Sequence, residues 1–420
     1  MTTDLPPARR QPRQADILHV AVVGGSISGC AVAAALQNRG HDVTVFERTT
    51  TDRRDQGSAI VTPATVLSQL ETAGLIGGDL PRCPADAIQY KTRGVDGSVR
   101  PLGEVALPLA AFEWTDLFQT LRDRVPTDRY RAGHHVIGVD DVAASRPSLR
   151  FADGGTAGPY DLVVFADGYR SIGRPLVSSA PQPSYSGYVF WRGLVDTDTL
   201  SDVDIAGTVT RVLYADGHAV FYQVPRDHGK ERQTMWGCYR PVLPEELPGL
   251  LTDVAGTTHA GSTPRGMVRP DVHARFLGEL EERLPARYVK VLRSTVETSV
   301  QAIFSQRVDR YVNGRLCVLG DAASNFPPYA GNGVLKAVSN AVTLSMSLAA
   351  TDVVETMDVA LAGWSQQQLT ADASFAALAD VNGRRLVSDV PSFDDGDVAA
   401  VTTWLHELHP GLPATVNFHS

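Results

Sequence analysis

The chain has 420 residues, more than one typical domain holds, so we expect two domains or one domain with a large insertion. Its formal net charge of −9 offers no positive field for nucleic acid or an anionic membrane, and we expect neither as a partner. Residues 1–15 indicate a disordered lead-in without the apolar stretch of a signal peptide. Four scattered cysteines lack metal-ligand spacing, so a cytoplasmic protein with reduced thiols and no metal site is expected.

A glycine-rich turn follows the first strand-like segment. The sequence VAVVGGSISG (20–29) precedes a helical stretch (31–36) and a second strand (43–46) that ends at Glu47. This β-α-β pattern is typical of a turn that binds a pyrophosphate, although a purely structural turn is the alternative. Ser26 stands where the usual pattern has glycine. Glu47 follows Gly24 by 23 residues and is placed to accept hydrogen bonds from a ribose, which argues against a 2′-phosphate there.

The segment after Glu47 alternates between strands, turns and helices. Residues 57–63 read as a loop that passes beside a cofactor or packs on the following helix, which ends at Gly74. A β-hairpin is predicted over 90–102, and a helix over 114–124. An apolar strand then ends at Asp167-Gly168.

Residues 185–240 contain alternating strands without helices, which predicts a largely antiparallel sheet inserted into an α/β chain. Asp216-Gly217 is a hairpin signal, so His218, Val220 and Tyr222 should share one face of the next strand. An amphipathic helix over 270–284 should cover this sheet.

The α/β pattern returns with a strand over 315–321 that ends at Gly320-Asp321. Helices are predicted over 333–350 and 358–380, and the tail holds a helical stretch at 398–408. The fold class is therefore α/β, with a Rossmann-like dinucleotide-binding domain and an inserted, mostly antiparallel β-sheet substrate domain. We assign 16–85, 105–180 and 300–385 to the first, 86–104 and 181–299 to the second, and 386–420 to a C-terminal tail.

The choice of FAD rests on three polar segments that each follow a strand. Ligands of doubly wound sheets bind at the carboxyl ends of strands, so the glycine turn, Asp167-Gly168 and Asp321 should converge on one extended molecule. NAD would not need the third segment, whereas the ribityl and ring of FAD would reach it. A helix that begins at Gly331-Asn332-Gly333 would direct its N-terminal dipole at the flavin. Because these segments supply only polar contacts, we expect the cofactor to be bound non-covalently.

At these residues the chain resembles the FAD-dependent aromatic monooxygenases of the p-hydroxybenzoate hydroxylase type, the group A flavoprotein monooxygenases. GGSISG (24–29), ADGYRSIGR (166–174) and LGDAA (319–323) match the three motifs of that family in order and spacing. YSGYVFWRG (185–193), VRP (268–270), QAIF (301–304) and Lys336-Ala337 are similar to dihydroxypyridine hydroxylase.

The resemblance implies that the Rossmann-like domain is an FAD-binding domain of the GR2 type, and that the protein uses a transient reductant and an electron-rich aromatic or heteroaromatic substrate. NAD(P)H, either NADH or NADPH, would reduce the flavin, and O2 would add at its C4a position to give a hydroperoxide that hydroxylates the ring. The inserted sheet would close the pocket against water. The candidate cofactor-binding residues are Gly24, Gly25, Ser26, Ile27, Ser28, Gly29, Glu47, Arg48, Val136, Asp167, Gly168, Asp321, Gly331, Asn332 and Gly333.

Tyr222 and Tyr329 are the candidate catalytic residues, since a phenol at either position could orient or deprotonate a substrate hydroxyl. Tyr329 stands where dihydroxypyridine hydroxylase has a histidine. His218, beside the hairpin turn, is expected to be solvated, and Trp191 and Arg192 are expected to be structural.

Other functions fit the same sequence. A flavin oxidase, an epoxidase or a Baeyer-Villiger-type oxygenase in secondary metabolism would use the same cofactor, and a non-catalytic dinucleotide-binding protein is an alternative of another class. A halogenase is disfavoured because no W-x-W-x-I-P motif occurs. We expect a monomer or a homodimer.

Overall fold

The computed structural model describes residues 17–50, 59–143, 145–197, 205–328, 332–349, 354–393 and 397–416. The strands are β1 (His19–Val23), β2 (Asp42–Glu47), β3 (Ala59–Pro63), β4 (Cys83–Arg93), β5 (Val99–Glu113), β6 (Tyr130–Ala132), β7 (Val136–Asp140), β8 (Ser148–Phe151), β9 (Thr156–Ala157), β10 (Leu162–Phe165), β11 (Ser184–Asp196), β12 (Thr208–Tyr214), β13 (Gly217–Arg226), β14 (Glu231–Pro241), β15 (Thr298–Ser305), β16 (Val312–Asn313), β17 (Leu316–Val318) and β18 (Ala414–Val416). The helices are α1 (Ile27–Gln37), α2 (Ala64–Thr72), α3 (Trp114–Arg122), α4 (Arg174–Val177), α5 (Leu247–Leu250), α6 (Pro270–Glu281), α7 (Ala286–Arg293), α8 (Asn332–Ala349), α9 (Val354–Gly383) and α10 (Val398–Leu408).

A mostly parallel sheet carries the predicted β-α-β unit. In the described chain it has six strands in the order β16-β17-β10-β1-β2-β6, and only the β16–β17 pair is antiparallel. Its central strands β1 and β10 are almost completely buried, and they share one hydrophobic core with α1 and α8, which pack together. Nearly unbroken runs of Val and Ala suit strands and a helix with no solvent face. The Rossmann-like half of the prediction is therefore confirmed.

A second sheet has nine strands in the described chain and forms the other half of the molecule. Its order is β15-β11-β14-β13-β12-β4-β5-β18, with β3 also paired to β5. The pairing is antiparallel except between β12 and β4. Helix α6 covers one face, where Phe276 packs on Trp191 with ring centroids 4.0 Å apart. The predicted antiparallel insertion and its covering helix are present.

Three details differ from the sequence prediction. Residues 59–63 form strand β3 on the edge of β5 and not a loop. The boundaries placed at 85/86 and 104/105 fall inside the continuous strands β4 and β5. The segment described as a tail from 386 onward holds α10 and β18, and β18 pairs with β5 through Ala414 and Val105. Distant pairing of this kind has no local sequence signal.

A small antiparallel sheet of β7, β8 and β9 lies beside the parallel sheet. Within the described ranges, no helix has both the length and the apolar character that crossing a membrane requires.

Candidate active site and cofactor cleft

The glycine turn is closed by backbone contacts that exclude side chains. Gly24 has a φ of +97°, and its N–H donates to the carbonyl of Phe46 at 2.8 Å. A Cβ on Gly29 would lie 1.8 Å from the carbonyl oxygen of Gly24. Helix α1 therefore starts directly against strand β1, with Ser26 at the cap position and no side chain capping its first N–H groups. Such a helix start is suited to an anionic ligand.

Glu47 is buried at the end of β2 and shapes this turn. Its carboxylate accepts the N–H of Gly25 at 2.8 Å and the N–H of Thr49 at 2.8 Å. Glu47 also lines a cavity of about 350 Å³, the Glu47 cavity, together with Arg122 and Tyr130. The Arg122 guanidinium lies 3.9 Å from the centre of the Tyr130 ring, and the Tyr130 hydroxyl donates to the Gly25 carbonyl at 2.9 Å.

Arg122 and Tyr130 are not among the residues predicted from the sequence, because neither lies within a recognisable motif. Of the predicted cofactor residues nearby, Arg48 is exposed beside Glu47, and Val136 is buried at the start of β7.

Asp167 follows β10 and packs against the glycine turn. A Cβ on Gly24 would lie 2.8 Å from the Asp167 Cα. Asp167 Oδ2 accepts the N–H of Ile172 at 2.8 Å, whereas Oδ1 is buried and has no hydrogen-bond partner among the described atoms. Burial raises the pKa of this carboxyl group. An unsatisfied buried oxygen beside an anion-binding turn indicates that a ligand completes the site.

Asp321 follows β17 and lines a cavity of about 400 Å³, the Asp321 cavity, which also includes Tyr169, Asn325 and Gly333. Gly333 lies in the first turn of α8, and a Cβ there would meet nothing within 4 Å. The turn before Asp321 is held by buried side chains of α8, since Asn340 accepts the Gly320 N–H at 3.0 Å and the Lys336 ammonium donates to the Gly320 carbonyl at 2.6 Å. Burial lowers the pKa of Lys336.

These segments form a continuous line along the carboxyl edge of the parallel sheet. The strands β2, β1, β10 and β17 are neighbours in that order. Glu47 ends β2, and Gly24, Asp167 and Asp321 follow β1, β10 and β17 respectively. Three strand spacings give a span of roughly 14 Å. The glycine cradle, the unsatisfied Asp167 oxygen and the cavities at both ends fit an extended dinucleotide, as the sequence predicts for FAD.

A cavity of about 570 Å³, the Tyr222 cavity, lies against the face of the nine-stranded sheet that carries Tyr222. It shares Arg192, Gln301, Ile303, Pro328 and Gly333 with the Asp321 cavity. His218, Val220 and Tyr222 all line it, so the prediction that they share a face is confirmed. The N-terminus of α8 therefore lies where the two cavities meet.

Tyr222 is buried, and its hydroxyl donates to the carbonyl of Ala59 at 3.2 Å. Burial and the neighbouring Tyr239 raise the pKa of the Tyr222 hydroxyl, so it keeps its proton at neutral pH. Tyr222 can therefore orient a bound hydroxyl group, but the expectation that it deprotonates one is not supported. Hydrogen bonding to a protonated phenol is the chemistry available here.

His218 is only 1% exposed, so the expectation that it is solvated was wrong. Its Nδ1 lies 2.9 Å from the carbonyl of Leu386, and its ring stacks on Tyr239 with centroids 4.7 Å apart. Burial and Arg211 lower its pKa to about 3. The turn at Asp216-Gly217 suggested solvent, but Leu386 and its neighbours cover the ring from a distant part of the chain.

Arg192 and Trp191 point to opposite faces of β11. Trp191 is structural, as expected, because it packs on Phe276. Arg192 instead lines both the Tyr222 and Asp321 cavities, with its Nε donating to Ser299 Oγ at 3.1 Å. Arg192 thus faces both cavities in addition to its bond with Ser299, and its structural role stays a prediction.

The remaining predicted positions are only partly visible. Tyr329 and Gly331 lie outside the described residues, and Asn332 is described as the first residue of α8 without its side chain. Ser28 lies against Gly320, since a Cβ added to Gly320 would come within 2.4 Å of the Ser28 hydroxyl oxygen. Ile27 is buried in the first turn of α1.

Three family models match parts of the chain. An "FAD binding domain-like" model matches residues 185–305, and an "FAD binding domain" model matches residues 258–358. A "pyridine nucleotide-disulphide oxidoreductase" model matches residues 19–66, the region of the glycine turn.

Known proteins resemble the chain over most of its length. A 2,6-dihydroxypyridine 3-monooxygenase of Paenarthrobacter nicotinovorans is 28% identical over 333 residues, which cover 78% of this chain and 81% of the relative. A 3-amino-4-hydroxybenzoate 2-monooxygenase of Streptomyces cremeus is 28% identical over 339 residues, with coverages of 78% and 77%. The solved structure of 2,6-dihydroxypyridine-3-hydroxylase from Arthrobacter nicotinovorans superposes with a TM-score of 0.82 at 25% identity and covers 98% of this chain and 100% of that one.

Proposed function

We propose that this chain, an FAD-dependent monooxygenase of the p-hydroxybenzoate hydroxylase type, hydroxylates an aromatic ring held in the Tyr222 cavity. The observation that supports this location is the wall shared by two cavities. Asp321 lines one cavity, Tyr222 lines the other, and Gly333 at the start of α8 lines both.

When bound, FAD would supply the redox chemistry: NAD(P)H would reduce it, it would pass the electrons to O2, and one oxygen atom of that O2 would enter the ring while the other leaves as water. The residues proposed to hold it are the predicted set: the glycine turn, Glu47, Arg48, Val136, Asp167, Gly168, Asp321 and the start of α8. To these the geometry adds Arg122 and Tyr130 at the Glu47 cavity. The first N–H groups of α8 have no intrahelical acceptor and favour negative charge where the cavities meet.

We assign the substrate half of the molecule to the nine-stranded sheet. Its face toward the Tyr222 cavity is largely apolar, with Val209, Met235 and Ile303 among the lining residues. Such a lining excludes water from the reacting ring. Tyr222 is proposed to orient a substrate hydroxyl as a protonated phenol, and Tyr329 remains a proposed second contact.

The substrate candidates follow from the relatives, which act on a dihydroxypyridine and on an aminohydroxybenzoate. The experiment is an NAD(P)H oxidation assay with 2,6-dihydroxypyridine, 3-amino-4-hydroxybenzoate and simple phenols, carried out under labelled O2. Incorporation of one labelled oxygen atom into the product is the expected result. Stoichiometric H2O2 with no label in the product would identify an oxidase and reject this proposal.

We further propose that the protein acts in the cytoplasm as a monomer or a homodimer. Light scattering of the FAD-loaded protein measures its mass directly. A mass above two chains of 45.1 kDa would reject this part of the proposal.

A further inference from the structure

We propose that two buried side chains behind the Asp321 cavity, Lys336 and Asp372, tune the reduction potential of bound FAD in opposite directions. Lys336 belongs to α8 and Asp372 belongs to α9, and neither is among the candidate site residues predicted from the sequence. The inference goes beyond the proposed reaction, because it concerns the cofactor alone. It rests on the proposed placement of the flavin ring at the Asp321 cavity.

Lys336 lies directly behind the wall of the Asp321 cavity. Its ammonium donates to the carbonyl of Gly320 at 2.6 Å and also to the carbonyl of Ser324. The residues that follow these two carbonyls in the chain, Asp321 and Asn325, both line the cavity. About one peptide unit therefore separates the ammonium from the cavity at each of these two positions.

The charge of Lys336 is held away from solvent. The side chain is only 2% exposed, and its Nζ lies 5.9 Å from the ring centre of Phe326, another residue that lines the Asp321 cavity. Burial lowers the pKa of Lys336, and the charges of Asp372 and Asp321 act in the opposite direction. A charge in such a place is weakly screened, so its field reaches a ligand that it does not touch.

Asp372 adds a negative charge to the same buried cluster. It is 3% exposed, and its Oδ2 accepts the hydroxyl of Tyr311 at 2.7 Å. Burial and Asp372 raise the pKa of Tyr311 well above its ordinary value, so the phenol keeps its proton and donates it to the carboxylate. Hydrogen bonding of this kind favours the ionised form of an acid.

The cluster thus combines one ammonium, Lys336, with two carboxylates, Asp321 and Asp372. Reduction adds two electrons and one proton to FAD and leaves a negative charge on its ring. Nearby positive charge favours this form, and nearby negative charge opposes it. Lys336 therefore offsets carboxylate charge that would otherwise hinder reduction. A role in packing alone would not depend on the sign of the charge.

The test measures the equilibrium reduction of bound FAD without substrate and without O2. FAD-loaded protein is titrated with dithionite at pH 7.5 in the presence of a redox dye of known potential, and absorbance gives the ratio of reduced to oxidised FAD. At the midpoint potential of the wild type, Lys336→Met should lower this ratio about tenfold, which is a shift of about 30 mV for a two-electron couple. Asp372→Asn should raise the ratio about threefold.

Further variants separate charge from packing. Lys336→Arg keeps the charge and should retain most of the wild-type ratio, and the double variant Lys336→Met/Asp372→Asn should lie between the two single variants. Lys230→Met and Asp380→Asn remove exposed charges of the same signs, the first before β14 and the second from α9, and should leave the ratio unchanged. Thermal unfolding and FAD content establish that each variant is folded and loaded.

Several outcomes would overturn the inference. They are a shift of the ratio in the same direction in Lys336→Met and Asp372→Asn, no shift in either, and failure of both variants to bind FAD. If only Lys336→Met fails to bind FAD, Asp372→Asn decides alone, since a rise in the ratio supports the inference and no rise rejects it. Failure of the labelled-oxygen experiment would instead reject the proposed reaction and leave these potentials readable.

Discussion

At the scale of single residues, Gly29 shows how a close backbone contact forms the cofactor turn. We expect Gly29→Ala to reduce the FAD content of the purified protein to about a tenth or less, because the added Cβ would lie 1.8 Å from the Gly24 carbonyl and separate α1 from β1. FAD is measured by absorbance after acid release. Gly363→Ala, in helix α9 where an added Cβ meets nothing within 4 Å, is the control. Equal FAD content in the two variants would contradict this account of the turn.

The buried His218 predicts a pH dependence of stability. Its pKa is about 3 in the folded protein and about 6.5 in the unfolded chain, so the unfolded chain binds more protons between these values. Above about pH 6.5, His218 is neutral in both states and does not lower the free energy of unfolding. As the pH drops from 6.5 toward 3, protonation of the unfolded chain lowers that free energy. The slope from one such histidine is about 1.4 kcal/mol per pH unit.

We expect His218→Gln to remove this part of the slope, since glutamine can still donate to the Leu386 carbonyl but does not titrate. Urea unfolding of the FAD-loaded protein at pH 7, 6, 5 and 4.5 measures the slopes. His409 has a similarly lowered pKa and will keep its own contribution in the variant. Identical slopes for the variant and the wild type would mean that His218 is not held neutral by burial.

At the scale of elements, the docking of β18 on β5 holds the preceding residues Leu408 to Leu412 at the Tyr222 cavity. A Cβ on Gly103 of β5 would lie 2.6 Å from the Thr415 carbonyl and 3.0 Å from a Leu405 methyl group. Gly103→Ala should therefore displace β18 and α10, weaken binding of the aromatic substrate about tenfold, and leave the FAD content unchanged. Gly278→Ala, on α6 with open space around its Cα, is the control and should slightly stabilise the protein. Unchanged substrate binding in Gly103→Ala would show that β18 does not shape the cavity.

The elements also show which parts of the fold the sequence could predict. The β1-α1-β2 unit, the hairpin of β12 and β13, and helices α3 and α10 follow from periodicity and turn residues within short windows. Strand β3, the pairing of β18 and the burial of His218 depend on contacts with residues far away in the chain. The candidate site divides in the same way, since the glycine turn has a local motif, whereas Arg122 and Tyr130 are recognised only once the elements are packed together.

At the scale of the whole molecule, the two halves must work in sequence. The sequence has one glycine motif of the dinucleotide-binding type, at 24–29, and we propose that FAD occupies it, so NAD(P)H would bind transiently elsewhere. We expect NAD(P)H oxidation to be slow in the protein alone and to accelerate by at least about tenfold when the correct aromatic substrate fills the Tyr222 cavity, because conformational gating can change a rate without new chemistry. Stopped-flow absorbance of the flavin measures both rates. Equal rates with and without substrate would exclude such gating.

The path of the chain through the nine-stranded sheet has a consequence for recombination between related genes. The parallel contact of β4 with β12 joins residues 87–92 to residues 208–213, and β18 returns from residues 414–416. A single crossover anywhere between β5 and β11 would therefore join β4 and β5 of one parent to β12 of the other in the middle of the cavity floor. The residues that determine substrate preference are consequently not contiguous in the sequence. Chimeras that transfer it intact must exchange the β4–β5 hairpin, the β11–β15 region and the C-terminal strand together.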